Sequence, residues 1–377
     1  MKQCYFFSTP GRAELSGNQV DHQHGCVLAG SVNLQTVAEV SLNDLGVIRV
    51  DSEGFPKVEV ALNDLSFRES EKNTTAALVR GVAAAFRQRG CVLRGFDAQV
   101  RSDVLPGSGL SSSAAFEVLM ATICNELFFD KRLSPVELAR IGQWAENVYF
   151  GKPCGLLDQM ACAVGGMVFM DFADPENPVV ERLDFDFSRS GYALCIIDAG
   201  ASHAGMTDAY AAVPGEMKAV SALFGKSVLR EVSEEEFYAK LPQIRGQVPD
   251  RAIMRAMHFY QENRRVRQQV AALRRNDFES FLRLVRESGY SSWMYVQNVI
   301  PAGAVEHQEM AVALGLCDIL LQGRGAYRVH GGGFAGTAEA FVPMEMLDGF
   351  KRGIEAVLGA GSCHVLSIRR EGSVGLQ

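Results

Sequence analysis

The sequence predicts an α+β protein of two domains, with mixed sheets and helices in each. Three observations lead to this prediction. The chain has 377 residues, more than one ordinary hydrophobic core requires. Hydrophobic residues make up 47% and charged residues 21%, the balance of a well-folded interior. Strand-like and helix-like stretches follow one another without the regular strand–helix–strand order of a doubly wound sheet.

Charge and cysteine content limit the classes of partner. The formal net charge of -7 does not suit duplex nucleic acid or an anionic membrane. Nine cysteines without any Cys-x-x-Cys pair indicate reduced thiols and not disulfides or zinc. Neither a signal-peptide pattern nor a window of about 20 apolar residues is found. We therefore expect a cytoplasmic protein with small-molecule ligands and no nucleic-acid or membrane partner. We also expect a monomer, although charge and cysteine content do not determine the oligomeric state.

Apolar, β-branched and aromatic clusters predict the strands. They lie at Cys4–Ser8, Cys26–Leu34, Val47–Val50, Val58–Leu62, Phe96–Val100, Met167–Phe172 and Tyr192–Asp198.

Capping signals predict one helix with defined ends. Ser134 is a good N-cap, Pro135 suits the first helical position, and Glu137 completes a capping box. We expect this helix to end near Gly151. Further along, an arginine-rich stretch over residues 234–288 predicts a pair of solvated amphipathic helices.

A glycine- and serine-rich loop precedes another helical run. Small residues let a backbone approach an anion closely, and a helix N-terminus directs free N–H groups at the same point. A serine-capped helix after a tight turn is the alternative, but three consecutive serines favour a nucleotide site. The loop is no Walker A motif, and Ser112 stands where a Rossmann fingerprint has its third glycine. The predicted phosphate-binding residues are Gly107, Ser108, Gly109, Leu110, Ser111, Ser112 and Ser113.

Four other features carry polar, acidic or glycine-rich patterns. Residues 9–25 form a polar stretch that suits either a sugar ligand or a plain hairpin loop. Asp158, near a helix start, either complements the helix dipole or acts as a base. Glu146 is either a surface charge or an inward-facing Mg²⁺ ligand. The glycine cluster at Gly331–Gly336 indicates tight backbone packing against a loop or a ligand.

Taken in order, these segments resemble the signature motifs of the GHMP kinase superfamily, and most closely those of the galactokinase family. Pro10-Gly11-Arg12 and the spacing of residues 17–21 follow the first motif. Residues 107–115 match the second motif and residues 331–336 the third. The family's Pro-Cys-Gly-x-x-Asp-Gln stretch is present as residues 153–159.

The resemblance implies a two-domain GHMP kinase fold, with residues 1–190 and 191–377 as the domains and the active site between them. It implies transfer of the γ-phosphate of ATP to the C1 hydroxyl of galactose or a related sugar. Asp158 would be the base or orienting carboxylate, and Arg12 would stabilise charge on the transferring phosphoryl group. Ser113 and Glu146 would hold Mg²⁺. The expected sugar contacts are Asn18, Gln19, Asp21, Gly155 and Tyr210.

Two departures from the family pattern are visible. The family's Glu-His pair, which contacts sugar hydroxyls, is Asn18-Gln19 here, so a related substrate such as a uronic acid or an amino sugar is an alternative to galactose. The first motif begins at Pro10, whereas galactokinases usually carry some tens of residues before it. We expect either a clipped chain or a branch that works without that segment.

Two other functions are alternatives to a sugar kinase. A sensor that binds sugar and ATP without catalysis is disfavoured because Arg12, Ser113, Glu146 and Asp158 are retained. Phosphorylation of mevalonate or homoserine is disfavoured by the Cys-Gly-x-x-Asp-Gln stretch.

Overall fold

The computed structural model describes residues 3–104, 109–201 and 206–376, and shows mixed strands and helices over these ranges. The strands are β1 Cys4–Ser16, β2 Cys26–Leu42, β3 Val47–Ser52, β4 Val58–Ala61, β5 Phe96–Ser102, β6 Met167–Asp171, β7 Val179–Leu183, β8 Tyr192–Asp198, β9 Ala326–His330, β10 Thr337–Pro343, β11 Cys363–Leu366 and β12 Val374–Leu376. The helices are α1 Thr75–Gln88, α2 Ser112–Phe128, α3 Pro135–Trp144, α4 Leu157–Val164, α5 Thr207–Ala222, α6 Glu234–Ile244, α7 Asp250–Arg274, α8 Phe278–Ser291, α9 Glu309–Leu321 and α10 Leu347–Leu358.

Contacts divide the chain into two compact units, each made of separate segments. The first unit comprises residues 1–13, 30–166 and 368–377, and the second comprises residues 14–29 and 167–367. Strands β1 and β2 each have residues in both units. The division into domains of residues 1–190 and 191–377 stays a prediction.

The first unit contains a sheet in the order β12-β1-β2-β5-β3-β4. Strands β3 and β5 are parallel, whereas β12–β1, β2–β5 and β3–β4 are antiparallel. Apolar residues of the sheet and of α1, α2 and α3 form one core, with Phe86 and Phe96 fully buried. The core holds the start of α2 and the residues around α3 in place.

The second unit is built on the four-stranded sheet β11-β8-β10-β9, whose neighbours are all antiparallel. Helices α9 and α10 contribute to its core, with Cys317 and Ile354 fully buried. The strands β6 and β7 pair antiparallel, and β6 also pairs with β2. The turn between β9 and β10 carries the glycine cluster.

The helix predicted from its capping signals is confirmed. The Ser134 side chain accepts from the Glu137 N–H, and the Glu137 carboxylate accepts from the Ser134 N–H at 2.8 Å. After Trp144 the helix continues as a π-helix over Ala145–Phe150, and Gly151 ends it with a φ of 87°. The π-helical turn, a feature often found at functional sites, carries Glu146.

Two predictions about local structure were wrong in part. The polar stretch 9–25 is not one loop, because β1 continues to Ser16 and only residues 17–25 connect it to β2. The arginine-rich helices are not simply solvated, since Arg255 and Glu262 of α7 are buried. Alternating charges indicate a solvated face only where no buried partner of opposite charge is present, and here such partners exist. In the described ranges, no helix has the length and apolar character needed to span a bilayer.

Candidate active site

Arg12 lies near the end of β1 and is 8% exposed. Its guanidinium donates from Nε to Asp158 Oδ1 at 2.8 Å, and Nη2 lies 2.7 Å from the same oxygen. Nη1 donates to the Gly109 carbonyl oxygen at 2.5 Å. The backbone N–H of Arg12 donates to the Leu110 carbonyl oxygen at 3.1 Å. The guanidinium is thereby held rigidly beside the second motif.

Gly11 makes this close approach possible. A Cβ at residue 11 would lie 3.0 Å from the Leu110 carbonyl oxygen and 3.1 Å from the side chain of Val104. Such contacts would push β1 away from the segment that leads into α2. The glycine of the Pro-Gly-Arg motif therefore has a packing function here.

Asp158 lies in the first turn of α4 and keeps 38% of its side-chain exposure. One carboxylate oxygen is paired with Arg12, and the other accepts a hydrogen bond from the Ser111 hydroxyl. Ser111 has a φ of 60° and precedes the first residue of α2. A carboxylate that is oriented from two sides and still reachable by a ligand is suited to accept a proton from a substrate hydroxyl.

Part of the predicted phosphate loop is described. Gly107 and Ser108 lie outside the described residues. Gly109 has a φ of 72°, and Leu110 is buried. Ser112 and Ser113 form the first turn of α2, where the positive end of the helix dipole favours a phosphate.

Glu146 is an inward-facing residue, only 3% exposed. Its Oε2 accepts from Gln159 Nε2 at 2.9 Å, and its Oε1 lies 3.6 Å from Lys152 Nζ. The same Gln159 Nε2 donates to Glu117 Oε2 at 3.0 Å. Burial and then the charge of Glu146 raise the pKa of Glu117 well above its ordinary range.

This carboxylate cluster suits a hard divalent cation in its donor chemistry. Glu117 Oε1 is buried and has no hydrogen-bond partner among the described residues. Within the same part of the chain, no three His, Cys, Asp or Glu side chains converge as a metal site. Mg²⁺ commonly binds one or two carboxylates and completes its shell with waters and substrate phosphates. The carboxylate of Glu146 suits that mode in its chemistry, and Ser113 as a second ligand stays a prediction.

In the second unit, Asn18 and Gln19 follow the end of β1. Asn18 is fully buried. Its Nδ2 donates to the Gly331 carbonyl oxygen at 2.6 Å, and Gln19 Nε2 donates to the Gly332 carbonyl oxygen at 3.0 Å. Gln19 is partly exposed and has a φ of 59°.

Tyr210 of α5 contacts the same glycine turn. Its hydroxyl donates to the Gly333 carbonyl oxygen at 2.9 Å, and its ring lies edge-on to Phe334. A Cβ at residue 332 would lie 2.7 Å from the Tyr210 ring, so a glycine is required there. The sequence predicts Tyr210 as a sugar contact; in the structure its side chain contacts the glycine turn.

The remaining predicted sugar contacts are solvent-accessible to different degrees. Asp21 is partly exposed in a short 3-10 helix, and Gly155 of the first unit is exposed. His22, next to Asp21, has its pKa lowered to about 4 by burial and then by the charge of Lys218. His22 is therefore neutral near pH 7.

A buried ionic network supports the second unit below this turn. Arg328 and Glu339 are both fully buried, and Arg328 Nε donates to Glu339 Oε1 at 2.6 Å. Arg328 also donates to the Glu14 carbonyl oxygen at 2.6 Å. Glu339 Oε2 has no partner in the described part of the chain. Burial raises the pKa of Glu339 to about 7, although the charge of Arg328 acts in the opposite direction.

This raised pKa makes stability pH-dependent. Between pH 4.5 and 7 the native chain binds a proton at Glu339 that the unfolded chain has released, so the unfolding free energy falls as pH rises. Glu339→Gln removes this pH dependence. As pH rises from 4.5 to 7, we expect the unfolding free energy of the unsubstituted chain to fall by roughly 3 kcal/mol relative to that of the variant. Urea denaturation at several pH values measures the difference. The control is Glu345→Gln, an exposed glutamate paired with Arg324; an equal change in both variants would contradict the prediction.

Several residues of this arrangement were not predicted from the sequence as site residues. Gln159 lies within the recognised stretch 153–159, and Glu117 follows the second motif by two residues; in both cases the polar side chain was the available signal. Asn298 donates to Asn18 Oδ1 at 3.0 Å and lies in a segment without any sequence signal.

Comparison with known proteins identifies the family. Residues 77–166 match the model for the GHMP kinases N terminal domain, and residues 2–42 match the galactokinase galactose-binding signature. A galactokinase of Streptomyces coelicolor is 30% identical over 357 residues, which cover 94% of this chain and 88% of that protein. The chain belongs to the galactokinase family. A galactokinase of Actinobacillus pleuropneumoniae is also 30% identical, over 91% of this chain and 86% of its own length.

Solved structures support the galactokinase fold. The galactokinase of Lactococcus lactis, solved with galactose, superposes with a TM-score of 0.83 at 24% identity, over 99% of this chain and 95% of that one. A D-glycero-D-manno-heptose 1-phosphate kinase from Bacteriodes thetaiotaomicron gives a TM-score of 0.67 at 16% identity, over 99% of both chains. The predicted α+β GHMP kinase fold is confirmed by these matches and the family model.

Proposed function

We propose that this chain transfers the γ-phosphoryl group of ATP to the C1 hydroxyl of galactose or a closely related sugar. The single observation that carries the proposal is the pairing of Arg12 with Asp158 beside the start of α2. It joins a fixed cation, a reachable carboxylate and a helix N-terminus within one unit. Phosphoryl transfer depends mainly on such positioning and charge neutralisation.

The proposed reaction balances at named atoms. The C1 hydroxyl oxygen forms a bond to the γ-phosphorus while the bond from that phosphorus to the β,γ-bridging oxygen breaks, and ADP leaves. Asp158 accepts the hydroxyl proton through one of its carboxylate oxygens, either Oδ2, which accepts a hydrogen bond from Ser111, or Oδ1. Arg12 offsets the negative charge on the transferring group.

The phosphates of ATP are assigned to residues 107–113, with the N–H groups of the first turn of α2 as donors. Mg²⁺, when bound through Ser113 and Glu146, would neutralise phosphate charge. Gln159 fixes the Glu146 carboxylate by its hydrogen bond to Oε2. The other oxygen, Oε1, lies 3.6 Å from Lys152 Nζ, and it is the atom that would bind the cation instead of that ammonium group.

The sugar is assigned to the second unit, at the short 3-10 helix that carries Asp21. Asp21 offers carboxylate oxygens to sugar hydroxyls. The ring nitrogens of the neutral His22 beside it lie 3.2 Å from the side chains of Gln19 and Gln23. We also propose the cytoplasm as the site of action. The monomeric state remains a prediction.

An ADP-release screen with Mg-ATP tests the function. The acceptors are galactose, talose, galactosamine, N-acetylgalactosamine, galacturonate, arabinose and mevalonate. We expect turnover with galactose or with one of the galactose-like sugars, and none with mevalonate. Sugar binding without turnover on any acceptor would instead identify a sensor, and mevalonate turnover would contradict the acceptor class.

A further inference from the structure

Side chains hold three successive carbonyl oxygens of the glycine turn between β9 and β10. The Gly331 oxygen accepts from Asn18, the Gly333 oxygen from Tyr210. The Gly332 oxygen, between them, accepts from Gln19 at 3.0 Å and from Asn298 Nδ2 at 3.3 Å. A turn whose carbonyls are all fixed by side chains has one defined conformation.

Asn18 has no hydrogen-bonding capacity left for a ligand. Its Nδ2 donates to Gly331 and also to Glu14 Oε1 at 3.2 Å. Its Oδ1 accepts from Asn298 Nδ2 at 3.0 Å and from the Ser292 hydroxyl at 3.3 Å. The amide orientation is forced, because a carbonyl and a carboxylate oxygen can only accept and must face the NH₂ group. With full burial, the side chain is part of the interior.

Asn298 is kept at an energetic cost. It follows the π-helix Ser292–Val296 and Gln297, which has a φ of 56°. Its Nδ2 is used twice, but its Oδ1 is buried with no hydrogen-bond partner in the described ranges. A buried unpaired acceptor is unfavourable, and an apolar side chain would avoid it. The two hydrogen bonds that its NH₂ group donates, to Asn18 and to the Gly332 carbonyl oxygen, offset this cost.

The backbone of Asn298 supports the strained part of the turn. Its carbonyl oxygen accepts from the Phe334 N–H at 2.5 Å. Phe334 has a φ of 54°, an unfavourable value for a bulky residue. A Cβ at residue 333 would lie 2.2 Å from the same carbonyl oxygen. Asn298 and the turn thus fit only with a glycine at 333.

We propose that Asn18 and Asn298 are positioning residues that fix the turn over Gly331–Phe334, and that residue 18 does not contact the acceptor sugar. The proposal deepens, and rests on, the proposed sugar kinase function. In this chain the position occupied by the family's glutamate has become part of a buried amide pair. Acceptor selection then depends on the exposed part of the loop, which contains Asp21.

The proposal makes a clear statement about Asn18→Glu. A carboxylate at residue 18 would face the Gly331 carbonyl oxygen and the Glu14 carboxylate, two groups that only accept. Restoring the family's residue should therefore weaken the site. We do not expect it to shift preference towards galactose.

Steady-state kinetics over several acceptors distinguish positioning from direct contact. Asn298→Asp keeps the shape but loses both donors, and Asn18→Asp loses the donors to Gly331 and Glu14. We expect each to raise the acceptor KM about tenfold, near the effect of one neutral hydrogen bond, with the ATP KM changed less than about twofold. The control is Asn125→Asp, whose buried side chain bonds to the backbone of Leu133 in the first unit.

The ratio of kcat/KM between acceptors decides the role of residue 18. If Asn18 only positions the turn, Asn18→Glu and Asn18→Asp lower kcat/KM by the same factor for galactose, galactosamine and galacturonate. A change of more than about tenfold in these ratios would show that residue 18 reads the acceptor, and would overturn the proposal.

Hydrogen exchange tests the same idea without turnover. In Asn298→Asp we expect the amides of residues 331–336 to exchange faster, while those of β8 stay protected in a chain that still melts cooperatively. Unchanged exchange in the turn would overturn the proposal even if the chain is an active kinase. If the unsubstituted chain phosphorylates no sugar, faster exchange in Asn298→Asp would still support the positioning of the turn by Asn18 and Asn298, while the proposed kinase function would be wrong.

Discussion

Asp158→Asn is expected to lower kcat by about a thousandfold while ATP binding stays near its original strength. Removal of a general base typically costs a factor of about 10² to 10⁴. The amide keeps the size of the side chain and one oxygen for Arg12, but it cannot accept the proton of a sugar hydroxyl. ATP is assigned to the segment before and at the start of α2, so its binding does not require this carboxylate.

A matched control separates the two functions that the sequence left open for Asp158. Asp348 is an exposed aspartate in the first turn of α10, so it has the same relation to a helix dipole. Asp348→Asn removes only that interaction, about 0.3 to 1 kcal/mol of stability. If both variants keep kcat and lose similar stability, Asp158 complements the dipole and has no catalytic function.

Arg12→Lys is expected to lower kcat by about 10² to 10³. The Arg12 guanidinium contacts Asp158 through two nitrogens and the Gly109 oxygen through a third. An ammonium group keeps the charge but lacks the planar fork, so it cannot hold both partners at once. Single-turnover measurements give the loss at the chemical step.

The control for this variant is Arg49→Lys, which alters an exposed arginine–glutamate pair with Glu59 in the same unit. We expect no change in kcat there, since exposed pairs contribute little. Arg12→Lys combined with Asp158→Asn should lose much less than the sum of the two effects, because the residues act as one unit. Additive losses would mean that Arg12 and Asp158 act independently.

Local sequence signals predicted the elements whose determinants lie close together along the chain. The strand at Tyr192–Asp198 was predicted with the bounds that the structure shows. The helix after Ser134 follows from a capping box of four residues, and its end follows from Gly151. In both cases the stabilising contacts are local or depend on simple alternation of apolar residues.

The interior polar contacts could not be predicted in this way. Asn18 looked like a ligand contact because its polar side chain lies in a loop motif, but its partners are 280 and 313 positions away, at Asn298 and Gly331. Glu262 lies in a helix with a solvated charge pattern, yet it accepts from the Gly17 N–H at 3.2 Å and from Ser288 at 2.7 Å. Such pairings arise only when distant segments fold together.

The pair Arg12 and Asp158 is an intermediate case. Both residues were chosen from motifs, and the structure brings them into direct contact across 146 positions. Ser111 was predicted as a phosphate-binding residue, but its contact with Asp158 was not predicted, since a serine before a helix also has a sufficient explanation as a cap. Its hydroxyl instead donates to Asp158, and no side-chain cap is made.

Product analysis of the purified chain with Mg-ATP and galactose tests the central claim most directly. Phosphorus NMR distinguishes a sugar 1-phosphate from other phosphomonoesters by its coupling to the anomeric proton. We predict galactose 1-phosphate and ADP in equal amounts, and with Asp158→Asn about a thousandfold slower formation of both. Phosphate on another hydroxyl, or ADP with free phosphate and no sugar phosphate, would contradict the account.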